Sequence, residues 1–185
     1  MAFITVAGNV VSYAEYTDVL QKDQRIFESN ELIIPEESGF ADVTEFVEDM
    51  LEKATARINV KIKASSWWFG YQSYIGNSVA NPALLPNFDA NKIKARQQDF
   101  TDMCVYYALK EYILPLITDF GNEESNELAK ITYYDVKFND IFKELIDLAD
   151  WFDADGDGTI EASEKAWTFQ QVRRSRRRTT VTKVR

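Results

Sequence analysis

Five acidic residues lie within twelve positions, from Asp153 to Glu164. A calcium-binding EF-hand loop draws oxygen ligands from positions 1, 3, 5, 7, 9 and 12, and it has a glycine at position 6. Gly158 occupies position 6 here, and the predicted metal ligands are Asp153, Asp155, Asp157, Thr159, Glu161 and Glu164. All of these would offer hard oxygen atoms, and a bidentate Glu at position 12 favours Ca²⁺ over Mg²⁺.

Two interpretations of this loop stay open. The first is a bound Ca²⁺ ion, because the crowded acids would otherwise repel one another, and the second is a solvated acidic turn. Sensor EF-hands work in pairs, in which the residue at position 8, here Ile160, pairs with a second loop, and the sequence contains no second loop of this type. We therefore expect Ca²⁺ to act as a structural staple, with a calcium-responsive EF-hand binding protein as the alternative.

The remaining composition gives little support to catalysis. The chain has no histidine, which removes Ser–His and Cys–His catalysis and most transition-metal sites. Its one cysteine, Cys104, lies in an apolar helical stretch and is expected to be a small buried hydrophobic residue. The seven glycines form neither a phosphate-binding loop nor a dinucleotide fingerprint. We predict that the protein is not an enzyme and has no small-molecule substrate.

Charge is distributed unevenly along the chain. The formal net charge is −9, yet seven of the 21 Lys and Arg residues lie in the last fourteen positions, which contain no acid. This basic tail is predicted to bind a partner through Arg173, Arg174, Arg176, Arg177, Arg178, Lys183 and Arg185. Three alternatives stay open: docking on an acidic protein surface, salt-sensitive contact with nucleic-acid phosphates, and a solvated tail.

The sequence gives no sign of membrane insertion. No stretch approaches the roughly 18 apolar residues that span a bilayer, and the apolar start of the chain is short and has no preceding basic residues. We therefore expect a protein that folds in a cytoplasm and has no membrane partner.

Apolar periodicity predicts the first long helix. It begins after Asp42, a candidate N-cap with Glu45 three residues later, and its buried face continues to Ile62. The next segment, residues 65–89, carries little helical signal and is predicted to be a long aromatic loop. Trp67 and Trp68 within it are predicted to bind a partner, and the alternative is that these rings cover the core.

Two more long helices are predicted further along the chain. The second covers residues 91–114, capped by Asp89, and its apolar character on most sides indicates burial against several neighbours or between subunits. Pro115 should kink or end it. The third covers residues 123–152 and is the expected entering helix of the metal loop.

The predicted fold is all-α: a small helical bundle with long loops, an EF-hand-like calcium loop and an extended basic C-terminal tail. Near the start, a short strand or extended arm precedes a helix capped by Ser12. The chain is divided into an N-terminal arm and short helix (1–41), the helical bundle (42–152), the EF-hand-like loop with a short exiting helix (153–170) and the basic tail (171–185).

These motifs, taken in order, resemble the head-to-tail connector (adaptor) proteins of tailed bacteriophages. The resemblance is carried by Tyr-Tyr-Asp-Val-Lys-Phe at 133–138, Asp-Trp-Phe-Asp at 150–153, Asp-Gly-Asp-Gly-Thr at 155–159, Glu-Lys at 164–165 and Lys-Val-Arg at 183–185. Asp-Gln-Arg-Ile-Phe at 23–27 and Ala-Thr-Ala-Arg-Ile at 54–58 are similar as well.

This resemblance implies a structural protein of the virion neck. Such adaptors are small helical bundles that form a ring, commonly a dodecamer, beneath the portal and around the DNA channel. They join the portal protein to the tail and nozzle proteins. For this chain the resemblance implies that the basic tail docks on the portal, that the aromatic segment and second helix pack between subunits, and that any contact with viral DNA is non-specific.

Overall fold

A computed structural model of the chain describes residues 3–25, 39–81, 84–118 and 126–161. The described part is mainly helical, as predicted, with one small two-stranded sheet. Glu164, the predicted exiting helix and the basic tail lie outside the described residues. The most buried helix is α4 (Gln97–Ala108), which packs between α2 (Val43–Lys63) and α6 (Asn126–Leu148) and so forms the centre of the core.

The N-terminal segment forms a β-hairpin. Strands β1 (Ile4–Val6) and β2 (Asn9–Ser12) pair antiparallel, with a register irregularity after Ile4. The two turn residues, Ala7 and Gly8, both have positive φ, 51° and 82°. This is the backbone of a type I′ turn, whose twist matches that of the paired strands.

Tyr13 joins this hairpin to the helices. Its backbone N–H donates to Thr55 Oγ1 of α2 at 3.1 Å, and its carbonyl accepts from Thr101 Oγ1 of α4 at 2.8 Å. The Tyr13 hydroxyl donates to Asn59. The predicted cap, Ser12, is instead the last residue of β2, and the short helix α1 (Tyr16–Lys22) begins after Glu15, whose N–H bonds to Asp18.

Helix α2 confirms the local prediction closely. Asp42 accepts a hydrogen bond from the Glu45 backbone N–H at 2.9 Å and is the N-cap. The Glu45 carboxylate reaches back to the Ala41 N–H at 2.6 Å, so two backbone donors at the helix start are satisfied. The predicted face, listed by its fully buried members, includes Val47, Leu51, Ala54, Ile58 and Ile62.

The predicted aromatic loop is wrong over its first part. Residues Ser66–Tyr74 form helix α3, capped by Ser65, whose Oγ accepts from the Trp68 N–H at 3.3 Å. Trp67 and Trp68 are 4% and 3% exposed. Their burial within the chain corrects the prediction that they bind a partner: they cover the core, which was the alternative.

The second predicted helix begins later than expected and changes form near Pro115. Asp89 caps a 3₁₀ turn, Ala90–Lys92, and α4 begins at Gln97. After α4 the chain forms a π turn, Leu109–Ile113, and then α5, Leu114–Ile117. Because proline has no N–H and its ring clashes with the carbonyl four residues earlier, a widened turn ahead of Pro115 lets the helix continue to Ile117.

Candidate metal centre

The chain does not enter the loop directly from a helix. Helix α6 ends at Leu148, four residues earlier than predicted, and Ala149 has a left-handed φ of 50° that turns the chain away from the helix axis. Trp151 then inserts into the core, and its Nε1–H donates to the Leu145 carbonyl at 2.7 Å. Residues 123–152 are therefore not a continuous entering helix.

A short antiparallel bridge fixes the start of the loop to the segment before α4. Ile93 pairs with Phe152, the Asp153 N–H donates to the Lys92 carbonyl at 2.9 Å, and the Lys94 N–H donates to the Trp151 carbonyl at 3.0 Å. The Lys92 ammonium also donates to the Ala154 carbonyl at 2.6 Å. The first predicted ligand is thus held by residues some sixty positions earlier in the chain.

Buried aromatic side chains pack against this bridge. The Trp151 ring lies 4.5 Å from that of Trp67 and 5.0 Å from that of Phe100, centroid to centroid. The Phe152 ring lies 5.2 Å from Trp67 and 6.2 Å from Trp68. The two tryptophans of α3 therefore pack directly against the residues that lead into the loop.

Asp153 is a buried carboxylate whose charge is already stabilised by the backbone. Its side chain is fully buried, Oδ1 accepts from the Gly156 N–H at 2.6 Å, and Oδ2 accepts from the Gly158 N–H at 2.9 Å. Burial by itself would raise the pKa of Asp153, but the amides of Gly158 and Gly156, with smaller contributions from the Asp155 side chain and then from the charge of Lys94, lower it overall. The group is therefore ionised at neutral pH, as a metal ligand must be.

The next two acids curl back towards Asp153. Asp155 Oδ1 accepts from the Asp157 N–H at 3.2 Å, and Asp157 Oδ1 accepts from both the N–H and the hydroxyl of Thr159 at 2.8 Å. One carboxylate oxygen from each of Asp153, Asp155 and Asp157 lies within 4.8 Å of the others. Calcium–oxygen distances of about 2.3–2.6 Å place ligands on opposite sides of the ion about 5 Å apart, so this spacing fits Ca²⁺.

The other predicted ligands are placed less closely or not at all. Thr159 and Glu161 are described and exposed, and neither belongs to the cluster of carboxylates that the structure forms. Glu164 and the seven basic tail residues lie outside the described part, so their predicted roles stay predictions. The three aspartates are the predicted residues that the structure brings together.

Sequence reasoning missed Lys92 and Lys94 as supports of the loop. Both fell inside or beside a predicted helix that began at residue 91, so neither was considered as a partner of a segment sixty positions away. Asp89 did give a local signal for a turn at this point, since it caps the 3₁₀ turn that ends at Lys92. The pairing partner itself has no signature in a single sequence.

No protein-family model, curated protein or solved structure matches this chain. Within the described ranges, none of the helices combines the length and apolar character that crossing a bilayer requires.

Proposed function

We propose that this chain is a structural protein of a tailed-bacteriophage virion, a head-to-tail connector that uses Ca²⁺ as a staple in its C-terminal region. In this role a ring of copies, commonly a dodecamer in such adaptors, would join the portal to the tail and nozzle proteins around the DNA channel. The resemblance of the sequence motifs supports the connector assignment. The observation that supports the staple is the convergence of Asp153, Asp155 and Asp157.

The way the loop begins favours a staple over a calcium sensor. A sensor converts ion binding into reorientation of helices that flank the loop. Here α6 ends at Leu148, and the chain between it and Asp153 is fixed by Trp151 and by the bridge to Lys92. An ion bound at Asp153 would therefore restrain the loop relative to the core and would not reorient the preceding helix.

Calcium titration tests the metal site. We expect a single Ca²⁺ per chain by calorimetry and, at a hundredfold excess of free Ca²⁺ over Kd, a stabilisation of about 2.7 kcal/mol. For a chain of this size that raises the thermal midpoint by about 5–11 °C relative to EGTA. Asp153→Asn keeps the side-chain shape but removes the charge, and it should abolish both signals.

Asp140→Asn is the matched control, because Asp140 is exposed on α6 and also loses one negative charge. It should bind Ca²⁺ like the parent chain. Equal calcium-induced stabilisation in the Asp153→Asn and parent proteins would refute the metal site.

The connector assignment has its own test. Mixing the full chain with the portal protein of its phage and imaging the product by electron microscopy should show a ring stacked on the portal. Salt that disrupts ion pairs should weaken this complex if the basic tail docks there. A chain that stays monomeric beside its portal, and changes shape when Ca²⁺ is added, would favour the calcium-responsive binding protein instead.

A further inference from the structure

Arg96 stands at an unusual point in the backbone. It is the residue before α4, and it has a left-handed conformation with φ 56° and ψ 28°. Residues with a Cβ rarely adopt this conformation, and where they do, the surroundings hold them there. A glycine would fit this backbone more easily, so the Arg96 side chain is the feature that needs an explanation.

The Arg96 guanidinium is shared among three acids from different elements. Nε donates to Asp99 in the first turn of α4 at 2.6 Å, and Nη2 donates to Glu144 near the end of α6 at 2.5 Å. Nη1 faces Asp150 Oδ1 at 3.6 Å, an ion pair without a formed hydrogen bond. Both of these atoms are buried and have no hydrogen-bond partner among the described residues.

Asp150 lies just before the segment that enters the metal loop. It follows the left-handed Ala149 and precedes Trp151, and Asp153 is three positions further on. Arg96 therefore holds the chain upstream of the bridge, while Lys92 and Lys94 hold the bridge itself. All three cations lie in one short segment, residues 92–96.

We propose that Arg96 is a positioning residue for the metal loop, which clamps α4, α6 and Asp150 together so that Asp153 is in place before an ion binds. This inference rests on the metal site proposed above. Residues that orient metal ligands without touching the ion typically change metal affinity by roughly 10–100-fold when they are removed.

The sign of the effect separates this role from simple electrostatics. Arg96 carries a positive charge beside Asp150, three residues before the first predicted ligand, so Coulomb's law alone predicts that its removal strengthens calcium binding. A positioning role predicts the opposite, because the variant must order Asp153 at the expense of binding free energy.

The test uses Arg96→Gly, which removes the guanidinium and at the same time eases the left-handed backbone, so the fold is favoured. Lys53→Ala, which removes an exposed cation from α2, is the control for lost charge. Calcium affinity is measured by calorimetry on the full chain. We expect Arg96→Gly to bind Ca²⁺ about tenfold more weakly than the parent, and Lys53→Ala to bind it as tightly as the parent.

Hydrogen–deuterium exchange in EGTA gives a second readout. Loss of the clamp should speed exchange in peptides covering residues 150–158 and leave the α2 peptides unchanged, whereas general destabilisation would speed both. If circular dichroism shows that Arg96→Gly does not fold, Arg96→Lys replaces it, since it keeps the charge and loses the planar fork. The same loss of affinity is expected of Arg96→Lys.

The outcomes distinguish the two proposals. A parent chain that does not bind Ca²⁺ overturns both the metal site and the positioning role. A parent that binds Ca²⁺, together with a folded Arg96 variant of equal or higher affinity, overturns the positioning role alone and leaves the metal site standing.

Discussion

Two buried tryptophans offer a matched test of the packing beneath the metal loop. Trp151 is fully buried, and its Nε1–H donates to the Leu145 carbonyl at 2.7 Å. Trp68 is 3% exposed, and its Nε1 has no hydrogen-bond partner among the described residues. Replacing either one by Phe removes the same atoms, yet the structure predicts different costs.

The cost of Trp151→Phe has two parts. The smaller ring leaves about 40 Å³ unfilled, which at about 24 cal/mol per Å³ destabilises the protein by about 1 kcal/mol. The lost hydrogen bond adds about 1 kcal/mol, the low end of the roughly 1–3 kcal/mol that a buried polar group costs when it loses its partner. The low value applies because the Leu145 carbonyl still accepts from the Ala149 N–H at 3.0 Å. The total of about 2 kcal/mol corresponds to a fall of about 4–8 °C in Tm.

Trp68→Phe leaves a similar cavity but also removes a buried donor without a partner. Burying such a donor costs about 1–3 kcal/mol, so its removal offsets the cavity and the net change should be close to zero. The expected difference between the two variants is therefore about 2 kcal/mol, with Trp151→Phe the less stable.

Urea unfolding followed by far-ultraviolet circular dichroism measures both variants without relying on tryptophan emission. EGTA in the buffer removes any contribution from Ca²⁺, and the parent chain gives the reference midpoint. Equal midpoints for the two variants, or a lower one for Trp68→Phe, would refute the assignment of a hydrogen bond at Trp151 and of an unsatisfied donor at Trp68.

Two further predictions concern buried ionisable groups. The buried Asp23 carboxylate accepts from Lys130 Nζ at 2.8–3.0 Å. Because Lys130 is one-third exposed and can reach water, Asp23→Asn should lower the free energy of unfolding by only about 1–2 kcal/mol in urea unfolding. The control is Asp49→Asn, which breaks an exposed pair on α2 and should lower that free energy by less than about 0.5 kcal/mol. Burial raises the pKa of the Cys104 thiol from 9.0 to about 12. The folded state therefore keeps a proton that the unfolded state loses, stability should fall as pH rises through that window, and Cys104→Ala should remove this part of the fall in urea titrations at pH 9 and above. At pH 8 a thiol reagent should label Cys104 no faster than the chain unfolds, and rapid labelling would contradict its burial.

Helix α2 was predictable because its signals are local. Asp42 and Glu45 satisfy backbone donors within four residues of themselves, and the buried face repeats at helical spacing as far as Ile62. Such features depend on neighbours along the chain, and a single sequence contains them in full.

Helix α3 was missed because hydrophobicity does not follow burial along it. Trp67, Trp68 and Tyr71 are buried on one face, against rings that come from distant parts of the chain. Gly70 and Gln72 are also buried, whereas the apolar Phe69 is only partly buried, so the sequence shows no clear amphipathic pattern. Ser65 was the one local signal, a cap at the helix start, and a run of aromatic residues obscured it.

The metal loop likewise has features that the sequence predicted and features that it did not. The spacing of Asp153, Asp155 and Asp157 predicted a cluster, and the structure brings these three together. The spacing did not predict that Asp153 is bound to Lys92 rather than to a helix end. Pairing between such distant segments depends on how the helices pack, which a local pattern does not record.

The different environments of the three aspartates indicate which part of the loop a bound ion would order. Asp153 is buried, ionised and bonded to the core without any metal, whereas Asp155 and Asp157 are exposed and are held by turns within the loop itself. Binding of Ca²⁺ would join a buried ligand to two exposed ones, so most of its ordering effect would fall on the exposed half of the loop. A staple needs this asymmetry, because one end must already be anchored for the ion to restrain the other.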